Sequence, residues 1–143
     1  MTSAEVHVLF RKIRDRYFKG ARTKLRIERK LKPEDCSCIA FYIEDTVYIY
    51  HWLLDYDKDY IASTLVHELV HAKLARSYYD LESNPLVQVV NYHDAKFVLE
   101  CYNVHKKMFR NRKLQKCLRD DGYLIGNENL TLRQALKYYN IKR

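Results

Sequence analysis

An α+β fold with a small antiparallel sheet is what this 143-residue chain predicts. Three observations carry that expectation. Apolar residues recur at helical spacing up to Phe18, apolar and polar residues alternate from Lys24 onward as in half-buried strands, and two helical patterns follow from about Asp57 and about His93.

Taken in order, Ser3 is placed to cap a helix running to about Phe18, with Val6, Leu9, Phe10, Ile13 and Tyr17 on its inner side. Gly20 is well placed to stop it. Lys24 to Arg29 alternates charged and apolar residues, the signature of a half-buried strand. Pro33-Glu34-Asp35 reads as a turn. Cys38 to Ile43 and Thr46 to Tyr50 are rich in β-branched and aromatic residues around a tight Glu44-Asp45 turn, which makes residues 38–50 a hairpin. Together these strands predict a three-stranded antiparallel sheet.

From Asp57 to about Tyr79 one helical side carries Tyr60, Ile61, Leu65 and Leu69, and the other carries Val66, Val70 and Leu74. A helix apolar nearly all round should be buried. Asn84-Pro85 marks a loop over 80–91. The next helix starts at Tyr92 or His93 and reaches Phe109 or Arg110, with Phe97, Cys101, Val104 and Met108 at helical spacing. Beyond Asn111 lie a turn region at Gly122–Gly126 and a short helix, Thr131–Tyr139.

The length fits one domain, and a hydrophobic fraction of 48% suffices for a core. Three Gly and two Pro leave no low-complexity linker. The first ten residues lack the apolar stretch of a signal peptide. No uncharged apolar run approaches the roughly 20 residues that cross a bilayer, so a soluble intracellular protein is expected. The cysteines, at 36, 38, 101 and 117, form no C-x-x-C pair. A zinc ribbon or thioredoxin-like site is therefore unsupported, and reduced thiols are expected.

The formal charge is +8, from 26 basic and 18 acidic residues. Residues 11–32 hold eleven Lys or Arg against Asp15 and Glu28, and residues 105–119 hold seven and no acid. Residues 44–100 carry ten acids against four bases. Basic surface attracts phosphate backbones. The candidate nucleic-acid contacts are Arg11, Arg14, Lys19, Arg22 and Lys24, with Lys106, Lys107, Arg110, Arg112 and Lys113 in the second segment. A solvated helix face and a charged strand edge are the competing account of the same residues.

The chemistry sits in the acidic middle. Residues 64–72 read Thr-Leu-Val-His-Glu-Leu-Val-His-Ala and contain H-E-x-x-H. Four residues apart on a helix, His67 and His71 share one face, where two neutral imidazoles can bind zinc. Glu68 projects alongside, where its carboxylate can take a proton from a water that the metal has acidified. Unpaired His and Glu would be costly in so apolar a segment, which favours a metal site. Catalytic zinc needs a third protein ligand. The compact pattern H-E-x-x-H-x-x-G-x-x-H fails, because Leu74 and Ser77 occupy its last two fixed positions. His93, Asp94, Glu82, Glu100 and His105 remain as candidates. His93 begins the next helix, and its distance along the chain lets it turn back beside the metal. Glu100 would suit a carboxylate-ligand site but lies two turns into that helix. His105 falls about 120° from His93 on an ideal helix, so the two should not share one ion. His7 and His51 lack ligand-like spacing and read as structural.

From about Arg22 to Phe109 the chain resembles the SprT-like family of zinc metalloproteases, the Spartan-type catalytic domain. The resemblance is carried by strand-like Leu25-Arg26-Ile27, hairpin-like Ile39 to Tyr50, Ser63 to Ala72 with its H-E-x-x-H, and His93-Asp-Ala-Lys-Phe97. Family members have a later His followed four residues on by Phe or Trp, which favours His93 as the third ligand. The resemblance implies a zincin-like single domain over 1–143, with a core at about 22–110 and a basic C-terminal tail over 111–143. It implies one Zn²⁺ held by His67, His71 and His93, with Glu68 as general base. It also implies a substrate strand on the sheet edge and protein substrates associated with, or crosslinked to, DNA. Asp94 stands where relatives often have Gly, the gap from His71 to His93 is long, and the family's frequent zinc ribbon is missing.

The expected activity is zinc-dependent endopeptidase hydrolysis, with substrate adding along residues 46–50. Two alternatives stand beside it: a zinc-stabilised nucleic-acid-binding protein without protease activity, and a gluzincin-type peptidase with Glu100 as third ligand.

Overall fold

The computed structural model describes residues 1–29, 40–43, 45–79 and 93–143. The chain divides into two compact units, Met1–Val90 and Asn91–Arg143.

The first unit opens with α1 (Ser3–Tyr17). Its cap is Thr2 rather than Ser3: the Thr2 hydroxyl accepts from the Glu5 amide at 3.2 Å, and the Glu5 carboxylate accepts from the Thr2 amide at 2.9 Å. This reciprocal pair satisfies two amides that the helix start leaves without partners. α1 buries Val6, Phe10 and Ile13, and it packs on strand β1 (Lys24–Glu28) and on α2 (Lys58–Tyr79).

The sheet has the order β1-β3-β2, with β2 spanning Ala40–Ile43 and β3 spanning Thr46–Tyr50. β2 and β3 form the expected antiparallel hairpin, and Asp45 before β3 takes φ +59°, a conformation that Asp tolerates in tight turns. β1 departs from expectation. It runs parallel to β3, with Lys24 opposite Thr46 and Glu28 opposite Tyr50. The three-stranded sheet is therefore mixed, not antiparallel.

The cause lies at Asp45. Its carbonyl accepts from the Lys24 amide at 3.0 Å, its carboxylate accepts from the Thr23 hydroxyl at 2.8 Å, and its amide donates to the Tyr42 hydroxyl at 3.1 Å. These ties hold the start of β1 beside the start of β3, so both strands leave from the same end. A two-residue period looks alike in either orientation, and the alternation in 24–29 could not distinguish them. One consequence corrects the expected substrate strand. Because β3 has a neighbour on each side, residues 46–50 offer no open edge; among the described residues the outer strands are β1 and β2.

A single 3-10 turn (His51–Asp55) leads into α2. As its all-round apolar pattern predicts, α2 is buried on several sides, including Ile61, Leu65, Val66, Leu69, Val70 and Leu74. It packs against α1, β2 and β3. Complete burial of a leucine such as Leu65 contributes roughly 1.5–3 kcal/mol, which anchors the helix that carries the motif.

The second unit holds α3 (Ala95–Met108), α4 (Arg112–Cys117), a hairpin of β4 (Asp121–Ile125) and β5 (Glu128–Thr131), and α5 (Leu132–Tyr138). Residues 111–143, expected as a basic tail with a turn region and a short closing helix, hold two helices and a hairpin. α5 packs on α3 and on both strands. Tyr123, Leu132, Ala135 and Leu136 are buried, as are Phe97, Cys101 and Val104 of α3. The terminal helix was expected, and a Thr131–Gln134 capping box starts it. The hairpin was not expected. Its turn is made by Gly126 at φ +64°, in the left-handed region where glycine carries no Cβ penalty.

Cys101 and Cys117 are buried thiols rather than a disulfide, as expected. Cys36, Cys38, the Pro33-Glu34-Asp35 turn and the 80–91 loop lie outside the described residues. No described helix is long and apolar enough to cross a membrane.

Candidate metal centre

Helical spacing alone brings the first two candidate ligands together. On α2 the His67 and His71 rings stand 5.0 Å apart, centroid to centroid, with their planes at 71°. His71 is buried and His67 half-buried. Between them in sequence, Glu68 is only 7% exposed. Burial pushes its carboxyl group up to about 8, because ionisation there would place a charge in an apolar wall. A dication facing that carboxylate would favour the ionised form instead.

His93 stands one residue before Asp94, the N-cap of α3, whose carboxylate accepts from the Phe97 amide at 2.9 Å. Its Nδ1 lies 3.0 Å from the carbonyl oxygen of Leu124 in β4. A carbonyl can only accept, so Nδ1 carries the proton and Nε2 keeps its lone pair. The ring lies against Phe97, with centroids 4.9 Å apart, and against Tyr123 at 6.0 Å. The His93 carbonyl accepts a 2.8 Å hydrogen bond from the Tyr139 hydroxyl. Burial holds the imidazole below its ordinary pKa, against the opposing pull of the Leu124 bond and the Asp94 charge. A neutral ring with a lone pair on one known nitrogen is the form that ligates metal.

The ligand atoms of His67, His71 and His93 all lie within 4.8 Å of one another, close enough to bind a metal ion. Among the described residues this is the one group of three or more His, Cys, Asp or Glu so placed. Three imidazoles suit zinc, nickel or copper better than the oxygen-seeking calcium or magnesium, so the donor set fits the expected ion.

The other candidates fall elsewhere. Glu82 lies outside the described residues. Asp94 serves as a helix cap. Glu100 is half-buried on α3 and does not join the group. His105 is fully buried, with Nδ1 2.6 Å from the Cys101 carbonyl, and burial pulls its pKa down to about 4. His7 and His51 also stand apart from the group.

Of the basic residues in the first unit, Arg11, Lys19, Arg22 and Lys24 are exposed. Arg14 is half-buried and has a structural task, donating to Asp15 at 2.9 Å and to the Thr23 carbonyl at 3.0 Å. In the second unit Lys106, Lys107, Arg110, Arg112 and Lys113 are exposed, and the Lys106 ammonium lies 4.5 Å from the centre of the Tyr102 ring. A shallow depression bordered by Ile125, Leu130 and Tyr138 contains none of the three histidines.

Sequence reasoning missed the partners of His93, namely Tyr123, Leu124 and Tyr139. They lie 30 to 46 positions further along the chain, beyond the reach of any local pattern. The one available signal was Gly126-Asn127, a two-residue hairpin turn, which would have placed Tyr123 and Leu124 on a strand. Comparison with protein-family models, with curated proteins and with solved structures finds no match to this chain.

Proposed function

We propose that the chain is a zinc-dependent endopeptidase of the SprT-like type, with His67, His71 and His93 as metal ligands and Glu68 as general base. The observation that carries this reading is the convergence of three imidazole ligand atoms within 4.8 Å, two of them on the helix that also buries Glu68. Bound there, zinc would supply a Lewis acid that polarises a carbonyl and acidifies water. Glu68 takes the proton of the attacking water and returns it to the departing amine. To accept that proton Glu68 must be ionised, the form that a dication beside it would favour against the pull of its burial.

An extended peptide can join an outer strand through main-chain hydrogen bonds. Of the two outer strands among the described residues, β2 packs on α2 whereas β1 packs on α1. Ala40–Ile43 is thus the edge associated with the histidine-bearing helix. The exposed Arg11, Lys19, Arg22 and Lys24 support an added association with DNA, and with it proteins on DNA as substrates.

These same basic residues motivate the second reading, a zinc-stabilised nucleic-acid-binding protein without protease activity. One experiment separates the two. Protein loaded with one equivalent of zinc is incubated with a denatured protein substrate, with and without DNA. Cleavage that disappears in Glu68→Gln, while zinc stays bound, supports the protease. Salt-sensitive DNA binding with no cleavage by the zinc-loaded wild type supports the second reading and refutes the first.

A further inference from the structure

The third candidate ligand is held from several directions by residues far along the chain. A histidine just outside a helix N-cap would ordinarily sample several rotamers and both ring tautomers. Here Nδ1–H donates to the Leu124 carbonyl, with 3.0 Å between nitrogen and oxygen, which leaves Nε2 as the only nitrogen able to ligate. The Tyr139 hydroxyl holds the His93 carbonyl at 2.8 Å, which restrains the backbone from which the ring projects. Phe97 and Tyr123 lie against the ring itself. Tyr139 follows α5 directly, and Leu124 lies on β4.

We infer that Tyr139 and the Leu124 carbonyl form a positioning frame for His93, so that the α3–α5 unit, and not α3 alone, presents the third ligand to the metal. The inference rests on the metal-centre reading above. Metal-ligating histidines commonly donate their other ring N–H to a carbonyl, and loss of such outer partners typically lowers metal affinity 10–100-fold. Tyr139 acts on the backbone rather than on the ring, so the low end of that range applies, about tenfold.

The test uses the full chain and compares Tyr139→Phe with Tyr138→Phe. Tyr138 is the adjacent tyrosine, 63% exposed, and the substitution keeps its ring. Zinc affinity is measured by competition with a chromophoric chelator, and the visible spectrum of the cobalt(II)-loaded protein reports ligand geometry. Thermal melts run in parallel show that each variant is folded. The ring tautomer of His93 is read in metal-free wild type by long-range proton–nitrogen NMR, which needs no variant.

Expected are an Nδ1–H tautomer, zinc binding about tenfold weaker in Tyr139→Phe with a changed cobalt spectrum, and wild-type behaviour in Tyr138→Phe. Wild-type affinity and an unaltered cobalt spectrum in Tyr139→Phe would overturn the role of Tyr139. An Nε2–H tautomer would overturn that of Leu124. A wild type that binds no zinc, or a His93→Ala variant that binds it undiminished, would instead strike the metal-centre reading and carry this inference down with it.

Discussion

His67 and His71 owe their mutual placement to one element, whereas His93 owes its placement to several. On α2, a four-residue step brings two rings to 5.0 Å, and any stable helix with that sequence would do the same. His93 takes its tautomer from a strand 31 positions later and its backbone restraint from a tyrosine 46 positions later. The first arrangement is local and survives as long as α2 does. The second depends on the packing of α3, the β4–β5 hairpin and α5. Damage to the second unit should therefore reach the third candidate ligand and leave the spacing of the first pair intact.

The largest expected effect belongs to the local half. On the proposed reading, Glu68→Gln should lower peptide hydrolysis by roughly 10²–10⁴-fold, the usual contribution of a positioned general base, while zinc-loaded protein keeps one equivalent by atomic absorption. Full cleavage by the variant would remove Glu68 from the chemistry.

The same residue predicts a stability effect in metal-free protein. Its folded pKa is raised from 4.5 to about 8. Below pH 4.5 both states are protonated and nothing is lost. As pH rises from there through about 8, the unfolded chain ionises while the folded chain keeps its proton. Stability should fall across that window by about 5 kcal/mol. Urea unfolding at pH 5 and pH 8 should show this slope in wild type and a much flatter one in Glu68→Gln. An equal slope in both would mean that Glu68 is not buried uncharged.

His105 supplies the opposite sign in the second unit. Its folded pKa is lowered from 6.5 to about 4, so its contribution is complete above pH 6.5 and is lost as pH falls toward 4. The loss should come to about 3 kcal/mol. His105→Gln should flatten this acid limb; retention of the wild-type slope between pH 6.5 and 4 would assign the limb to other groups.

The smallest effects separate the start of α3 from the start of α1. Asp94→Ala and Thr2→Ala each remove a helix cap and should each cost about 1 kcal/mol. Only Asp94→Ala sits beside His93, so only it should also weaken zinc binding in a chelator competition. Equal zinc affinity in the two variants would show that the start of α3 does not govern His93.

Several elements were legible because their signals are local. The first helix was read with its cap one residue late, at Ser3 rather than Thr2, but its buried stripe was readable at Val6, Phe10 and Ile13. The β2–β3 hairpin followed from two β-rich runs around Asp45. The β4–β5 hairpin was missed because Tyr123-Leu124-Ile125 is apolar without alternation, although Tyr123 is buried and Leu124 is 49% exposed. A continuous apolar triplet says nothing about which side faces the core.

From the amino-acid order alone came the H-E-x-x-H pair, its position on a buried helix, and His93 as the favoured third ligand by resemblance. The first two depend on separations of a few residues, where backbone geometry leaves almost no choice. The parallel course of β1, the outer position of β2 and the hold of Leu124 and Tyr139 on His93 were decided by the folded chain. Each requires a hydrogen bond between groups roughly 20 to 46 positions apart, and loop closure over such lengths carries no mark in the residues that it joins.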